Sequence, residues 1–227
     1  MEDIVCGALY LVSTPIGNLN DITYRAVHIL KNVHIIAAED TRVTARLLKE
    51  YNIQKPMISY YSYNQARQTG RILNYLKQNQ TVALVSDAGT PGILDPAYHL
   101  VTACIKHEYR IIPIPGPSAL LTAIVVSGLP ANQFVFEGFL PQKKGRKKRI
   151  ASLMTEKRTI IFYESPHRII KTLTELNETF GNRVCVLARE LTKKFEEIYR
   201  GTFTDAIDYF TITPPKGEFV LIVKGYN

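Results

Sequence analysis

No apolar run in the 227 residues approaches the ~20 that a membrane span requires. The Met1-Glu2-Asp3 start also lacks the basic character of a secretory leader. A cytoplasmic protein with no membrane partner is expected. Cysteine is scarce: Cys6, Cys104 and Cys185 are odd in number, far apart and set in apolar runs. They are expected to be reduced core thiols, which argues against a disulfide framework or a zinc site, and no metal ligand set is anticipated. Also missing are the G-x-G-x-x-G of dinucleotide sites and the G-x-x-x-x-G-K-[ST] of the P-loop, so both of those phosphate cradles drop out. There is no internal repeat, low-complexity tract or RNA-recognition motif. What remains is ordinary globular composition, 46% hydrophobic and 21% charged, with a net charge of +8 that points to a polyanionic partner.

What the chain has is a recurring strand–turn–helix pattern. The apolar run Val82-Ala83-Leu84-Val85 enters Ser86-Asp87-Ala88-Gly89-Thr90-Pro91-Gly92, and a helix-like run begins at Asp95-Pro96. Similar turns follow Ala8–Val12 (Ser13-Thr14-Pro15-Ile16-Gly17-Asn18), Val33–Ala37 (Ala38-Glu39-Asp40-Thr41-Arg42) and Ile111–Ile114 (Pro115-Gly116-Pro117-Ser118-Ala119). Asp21 and Ser118 are predicted helix caps, and Asn64 to Gln78 a polar helix. Strand–helix alternation implies a mostly parallel sheet with ligands at the carboxyl ends of its strands. Gly and Pro interrupt the pattern at Ser127-Gly128-Leu129-Pro130, after which strands crowd together and some antiparallel pairing is expected. There, Thr204 is a predicted cap and Lys143–Arg149 a predicted loop. The fold class is thus α/β, with two α/β domains: a mostly parallel N-terminal sheet and a mixed C-terminal one. A boundary is expected around Ser127-Gly128-Leu129-Pro130, and the domains are drawn at 1–116 and 117–227.

Several residues carry chemistry. Asp87 offers a carboxylate to hydroxyls or a cation, and the glycines beside it let backbone approach a ligand. Glu39 and Asp40 close a strand end and suit general acid–base work, with Arg42 placed to clamp a phosphate; the same three also fit a helix cap with a surface ion pair. Lys143, Lys144, Arg146, Lys147, Lys148 and Arg149 put six cations in seven positions, either a solvated face or a grip on phosphates. Glu164, His167 and Arg168 are secondary candidates, as are Arg189 and Glu190, which equally fit an internal ion pair.

Six blocks occur in an order that resembles a known family: 11–19 (Leu-Val-Ser-Thr-Pro-Ile-Gly-Asn-Leu), 38–42, 86–92, 115–119, Phe162-Tyr163-Glu164-Ser165-Pro166-His167-Arg168 and Arg189-Glu190-Leu191-Thr192-Lys193. Together they are similar to the bacterial ribosomal RNA small-subunit methyltransferase I family, within the tetrapyrrole methylase superfamily. The resemblance implies S-adenosylmethionine-dependent methylation of a cytidine ribose 2′-hydroxyl in the decoding region of small-subunit rRNA. It also implies two α/β domains with the cofactor in the cleft between them, and a homodimer acting on the rRNA or the assembled small ribosomal subunit. Under it, Pro15, Gly17, Asp87, Ala88, Gly89, Thr90, Ser118, Ala119, Tyr163 and Glu164 are expected to hold the cofactor. Glu39, Asp40 and Arg42 would then serve catalysis, and the Lys143–Arg149 cations would grip RNA. One segment departs from the family: its usual His-Glu-His-Asn is here Tyr61-Ser62-Tyr63-Asn64. Two rivals stand beside this reading, a small-molecule (precorrin-type) tetrapyrrole methylase and a non-catalytic RNA-binding protein.

Overall fold

Leu9–Val12 (β1), Ile35–Ala38 (β2), Met57–Ser59 (β3), Val82–Val85 (β4) and Ile111–Ile114 (β5) form one sheet, parallel throughout, in the order β3-β2-β4-β1-β5. The computed structural model describes residues 4–226. Its chain divides into two compact units, the first ending at Ser118 and the second beginning at Ala119. In the first unit β2 and β4 are buried at every position, which is why they read as unbroken apolar runs. Tyr24–Asn32 (α1) and Thr41–Glu50 (α2) cover one face of the sheet, packing Ala26, Ile29, Leu30 and Leu48 on Tyr10, Val12, Ile36 and Val85. Gln65–Lys77 (α3) and Ala97–Lys106 (α4) cover the other, with Ile72, Leu76, Leu100 and Cys104 on Leu9, Ile35, Val82 and Leu84. Because every strand is parallel, all five carboxyl ends lie along one edge.

In the second unit, Phe134–Phe139 (β6), Thr159–Glu164 (β7), Val184–Arg189 (β8), Glu197–Thr202 (β9) and Phe219–Val223 (β10) pair in the order β6-β7-β10-β8-β9. Only β6 and β7 run parallel, so the sheet is mixed. Its helices are Ala119–Ser127 (α5), Arg146–Ser152 (α6), Ile169–Phe180 (α7) and Phe203–Ile212 (α8). Phe162, Leu173, Leu187, Phe203, Phe210 and Leu221 are among the core. The Ser127–Pro130 interruption closes α5, where the Ser127 hydroxyl donates to Ile124 O at 2.8 Å and accepts from Leu129 N–H at 3.0 Å.

Local expectations need four corrections. Thr23, not Asp21, caps α1, because Asp21 is taken up in a 3-10 turn, Leu19–Asp21. Thr202, not Thr204, caps α8, since only Thr202 has an acid three residues on, Asp205, to complete a capping box. The predicted basic loop is partly helix, as α6 begins at Arg146. Cys6 is exposed, while Cys104 and Cys185 are buried and their thiols are pushed by burial to about 11 and about 12. No helix among the described residues is long and apolar enough to cross a membrane.

Candidate active site

At the carboxyl edge of the parallel sheet the turns after β1, β4 and β5 are stitched together. Thr14 and Gly89 exchange backbone hydrogen bonds of 2.9 and 3.0 Å, and the Thr14 hydroxyl donates to Ser86 O at 3.1 Å. The Ser13 and Thr90 hydroxyls lie 3.0 Å apart, and the Thr90 hydroxyl reaches Pro117 O at 3.3 Å. Gly89 sits at φ +82°, left-handed backbone that a side chain rarely adopts. Gly116 is required for a different reason: a Cβ there would stand 2.9 Å from Ser13 Cβ, so β1 and β5 could not exit so close together. Asp87, Ala88 and Gly17 are exposed at the rim, whereas Pro15 and Gly89 are buried beneath it.

The carboxylates of β2 and β4 meet across the same edge. Asp40 N–H donates to Asp87 Oδ1 at 2.9 Å, and Asp87 N–H donates to Glu39 Oε2 at 3.3 Å, a reciprocal tie between adjacent strands. Asp95, which the sequence did not single out, folds the β4 turn back by accepting from Gly92 N–H at 2.8 Å and Ala97 N–H at 2.9 Å. Its signal was an Asp three residues after a glycine and just before a helix. The two members of the 39–40 pair are electrostatically different. Burial lifts Glu39 above the ordinary carboxylate range, and the charges of Asp87, Asp95 and Asp40 add to that. Asp40 is held at about 2 by its ion pair with Arg42 (2.6 Å) and by the Arg42 amide that it caps at the start of α2. The cap-and-ion-pair alternative therefore describes Asp40 and Arg42, but not Glu39.

In the second unit several of the expected site residues have partners within that unit. Ala119 opens α5, and the half-buried Tyr163 hydroxyl accepts the Leu120 amide at 3.0 Å, satisfying an open donor of that helix. Glu164 is 2% exposed and fully engaged, accepting from Ser165 N–H at 2.9 Å and from the Thr172 hydroxyl at 2.7 Å, with Arg168 at 3.4 Å. It is a buried residue framed by its own unit. Arg146 is likewise withdrawn from the basic array: 4% exposed, it meets Glu175 at 2.6 Å, the Thr172 hydroxyl at 2.7 Å and Pro141 O at 3.2 Å. Arg149 forks onto Glu137 with two bonds of 2.7 Å. Lys143, Lys144, Lys147 and Lys148 are exposed and join none of the described ion pairs. His167 is exposed, and Arg189 pairs with Glu197 at 3.3 Å, not with Glu190, which takes Lys193.

The chain matches the family model for tetrapyrrole (corrin/porphyrin) methylases over residues 8–207. It is 52% identical over 221 residues to "Ribosomal RNA small subunit methyltransferase I" of a Synechocystis species, covering 96% of this chain and 79% of that protein. The protein of the same name from Thermotoga maritima is 46% identical, with 96% and 99% covered. Among solved structures, a cobalt-precorrin-4 methyltransferase superposes with TM-score 0.72 at 16% identity, covering 96% of this chain and 95% of that one. A Thermus thermophilus uroporphyrin-III C-methyltransferase complexed with S-adenosylhomocysteine superposes with TM-score 0.65 at 17% identity, 95% and 96% covered. Those structures share the fold. Identity near half over almost the whole length is a closer relation, and by it this chain belongs to the ribosomal RNA small subunit methyltransferase I family of the tetrapyrrole methylases.

Proposed function

We propose that this chain is an S-adenosylmethionine-dependent methyltransferase that modifies a cytidine ribose 2′-hydroxyl in the decoding region of small-subunit rRNA, acting in the cytoplasm as a homodimer. The observation that carries it is the pairing of a carboxylate raised in proton affinity, Glu39, with an exposed backbone-lined turn at the same sheet edge. That turn suits a nucleoside-bearing cofactor. Asp87 and Ala88 are exposed on it, and none of the described hydrogen bonds uses Asp87 Oδ2. Pro15, Gly17, Asp87, Ala88, Gly89, Thr90 and Ser118 are the residues that would hold it, with Asp87 accepting from a hydroxyl or amino group. Asp87→Ala should weaken S-adenosylmethionine binding by about 1.5–3 kcal/mol, the usual worth of a hydrogen bond to a charged group. Unchanged affinity by isothermal titration would place the cofactor elsewhere.

S-adenosylmethionine supplies a methyl group on a sulfonium, a leaving group that needs no acid. What the protein must supply is alignment and a home for the hydroxyl proton. Glu39 would accept the proton of the attacking ribose hydroxyl. Its raised affinity brings it nearer the pH at which a general base works best. Asp40, with both oxygens on Arg42, is a poor base and serves to fix the start of α2. The homodimer is supported by α5, apolar at all but Thr122 and Ser127, which leaves Leu121 and Val125 53% and 74% exposed.

RNA as substrate, over a tetrapyrrole, is supported by the four exposed lysines around the start of α6, which join none of the described ion pairs. Replacing Lys143, Lys144, Lys147 and Lys148 with Ser should spare folding and flatten the slope of log affinity against log salt. The change should be roughly 0.7–0.9 for each phosphate no longer neutralised. An unaltered slope would make these lysines a solvated face. Methyl transfer from labelled cofactor to small ribosomal subunits tests the whole reading, and transfer to a tetrapyrrole alone would replace it.

A further inference from the structure

Three tyrosines follow β3 on the sheet edge beside β2, and they are used differently. Tyr60 is buried, its hydroxyl bonded with that of Thr69 at 3.1 Å. Tyr61 and Tyr63 turn outward, 43% and 96% exposed, with ring centroids 6.4 Å apart and planes inclined at 62°. The turn that carries them is closed by its own hydrogen bonds. Tyr61 N–H donates to Asn64 Oδ1 at 2.9 Å, and Asn64 N–H returns to Tyr61 O at 3.0 Å. Asn64 Nδ2 donates to Ser59 O at 3.1 Å and Ser59 Oγ at 3.2 Å. Strand register fixes where this turn stands. Ala38 pairs with Ser59, and Tyr60 N–H donates to Ala38 O at 2.7 Å. Glu39-Asp40 and Tyr60-Tyr61 therefore leave neighbouring strands at the same level, about one strand spacing (~4.8 Å) apart. Arg42, its side chain 86% exposed, shares that edge.

A ring that is 96% exposed buries nothing and adds almost nothing to the core. The Tyr63 ring and the half-exposed Tyr61 ring, held by a closed turn beside Glu39, have the form of a surface for flat aromatic ligands. We propose that Tyr61 and Tyr63 are a stacking platform for an unpaired nucleobase of the RNA, next to the nucleotide whose ribose meets Glu39. The platform rests on the RNA-methylation function proposed for this chain. It takes bases by their faces, so it adds grip without reading sequence.

The test is steady-state methylation of small ribosomal subunits by the full chain. Removing a stacked aromatic weakens nucleic-acid binding roughly five- to a hundredfold. Tyr61→Ala/Tyr63→Ala should therefore raise KM for the subunit about tenfold or more, with kcat within about threefold. Cofactor affinity, thermal midpoint and the salt slope should not move, because the charge and the core packing are unchanged. Tyr61→Phe/Tyr63→Phe should restore KM. If the unmodified chain methylates subunits and the alanine pair changes KM less than twofold, the platform is overturned while the RNA reading stands. A phenylalanine pair as weak as the alanine pair would also overturn it, by showing that the hydroxyls bond the RNA in place of stacking. Cofactor binding without any methyl transfer to subunits would overturn the RNA reading and the platform with it.

Discussion

Glu39→Gln is expected to lower kcat for rRNA methylation by roughly 10²–10⁴-fold, the usual contribution of a positioned general base. Cofactor affinity should be kept, because the amide oxygen can still accept the Asp87 N–H that the carboxylate accepts now. The pH profile gives a second readout. Glu39 binds its proton more tightly than an unperturbed glutamate at 4.5, so the acid limb of the wild-type rate should fall at a pH above that value. Below it the base is protonated and turnover is lost; above it turnover reaches its plateau. Asp40→Asn is the control. Asp40 is already held ionised at about 2 and works as a helix cap, a task asparagine performs equally well. Its turnover should stay within about tenfold of wild type, the scale on which a mispositioned Arg42 would be felt. A large loss in Asp40→Asn with little in Glu39→Gln would reverse the two roles.

Arg146→Ala should destabilise the second unit by about 3–5 kcal/mol, the cost of removing one partner from a buried ion pair. The guanidinium bonds Glu175, Thr172 and Pro141 O, and the same Thr172 hydroxyl donates to the buried Glu164. Truncation leaves Glu175 without its closest cation and takes a donor from Thr172. Arg146→Lys should recover only part of the loss, because an ammonium cannot reproduce the guanidinium fork. Denaturant unfolding monitored by circular dichroism measures it. An Arg146→Ala midpoint equal to that of wild type, together with weakened RNA binding and a flatter salt slope, would return Arg146 to the RNA-facing array.

Much of the first unit was legible because buried parallel strands are short apolar runs and their ends are marked by Gly, Pro and Asp. Val82–Val85 into Ser86–Gly92 is the clearest instance. The partners of each strand were not legible. Glu39 and Asp87 meet only because β4 lies beside β2 in the sheet, and no local pattern encodes strand order. The basic run hid α6 for a related reason. Arg146, Ile150 and Leu153 lie at helical spacing and are all buried, but a count of charges treats Arg146 like its neighbours. Thr202 and Thr204 are chemically alike as caps, and the choice fell to the position of Asp205. Glu164 followed a strand end as Glu39 does, yet Thr172 on α7 turned it inward.

The strand orders also bear on how the chain reaches this structure as it is synthesised. β1 emerges first but lies inside its sheet, with Leu9 paired to Val82 on one side and to Ile111 on the other. Its two neighbours are the last strands of that sheet to be made, so β1 must wait unpaired while most of the unit leaves the ribosome. The second sheet has the opposite problem. β10 is the last of its strands in chain order, yet it fills the centre, between β7 and β8. Until it inserts, that sheet is two separate strand pairs with open inner edges. Neither sheet can grow by simple addition at a rim, so both depend on late, long-range closure, the slow and aggregation-exposed kind of folding step. Protection of β1 and β10 amides from hydrogen exchange should appear late and together with that of their neighbours, not strand by strand along the chain.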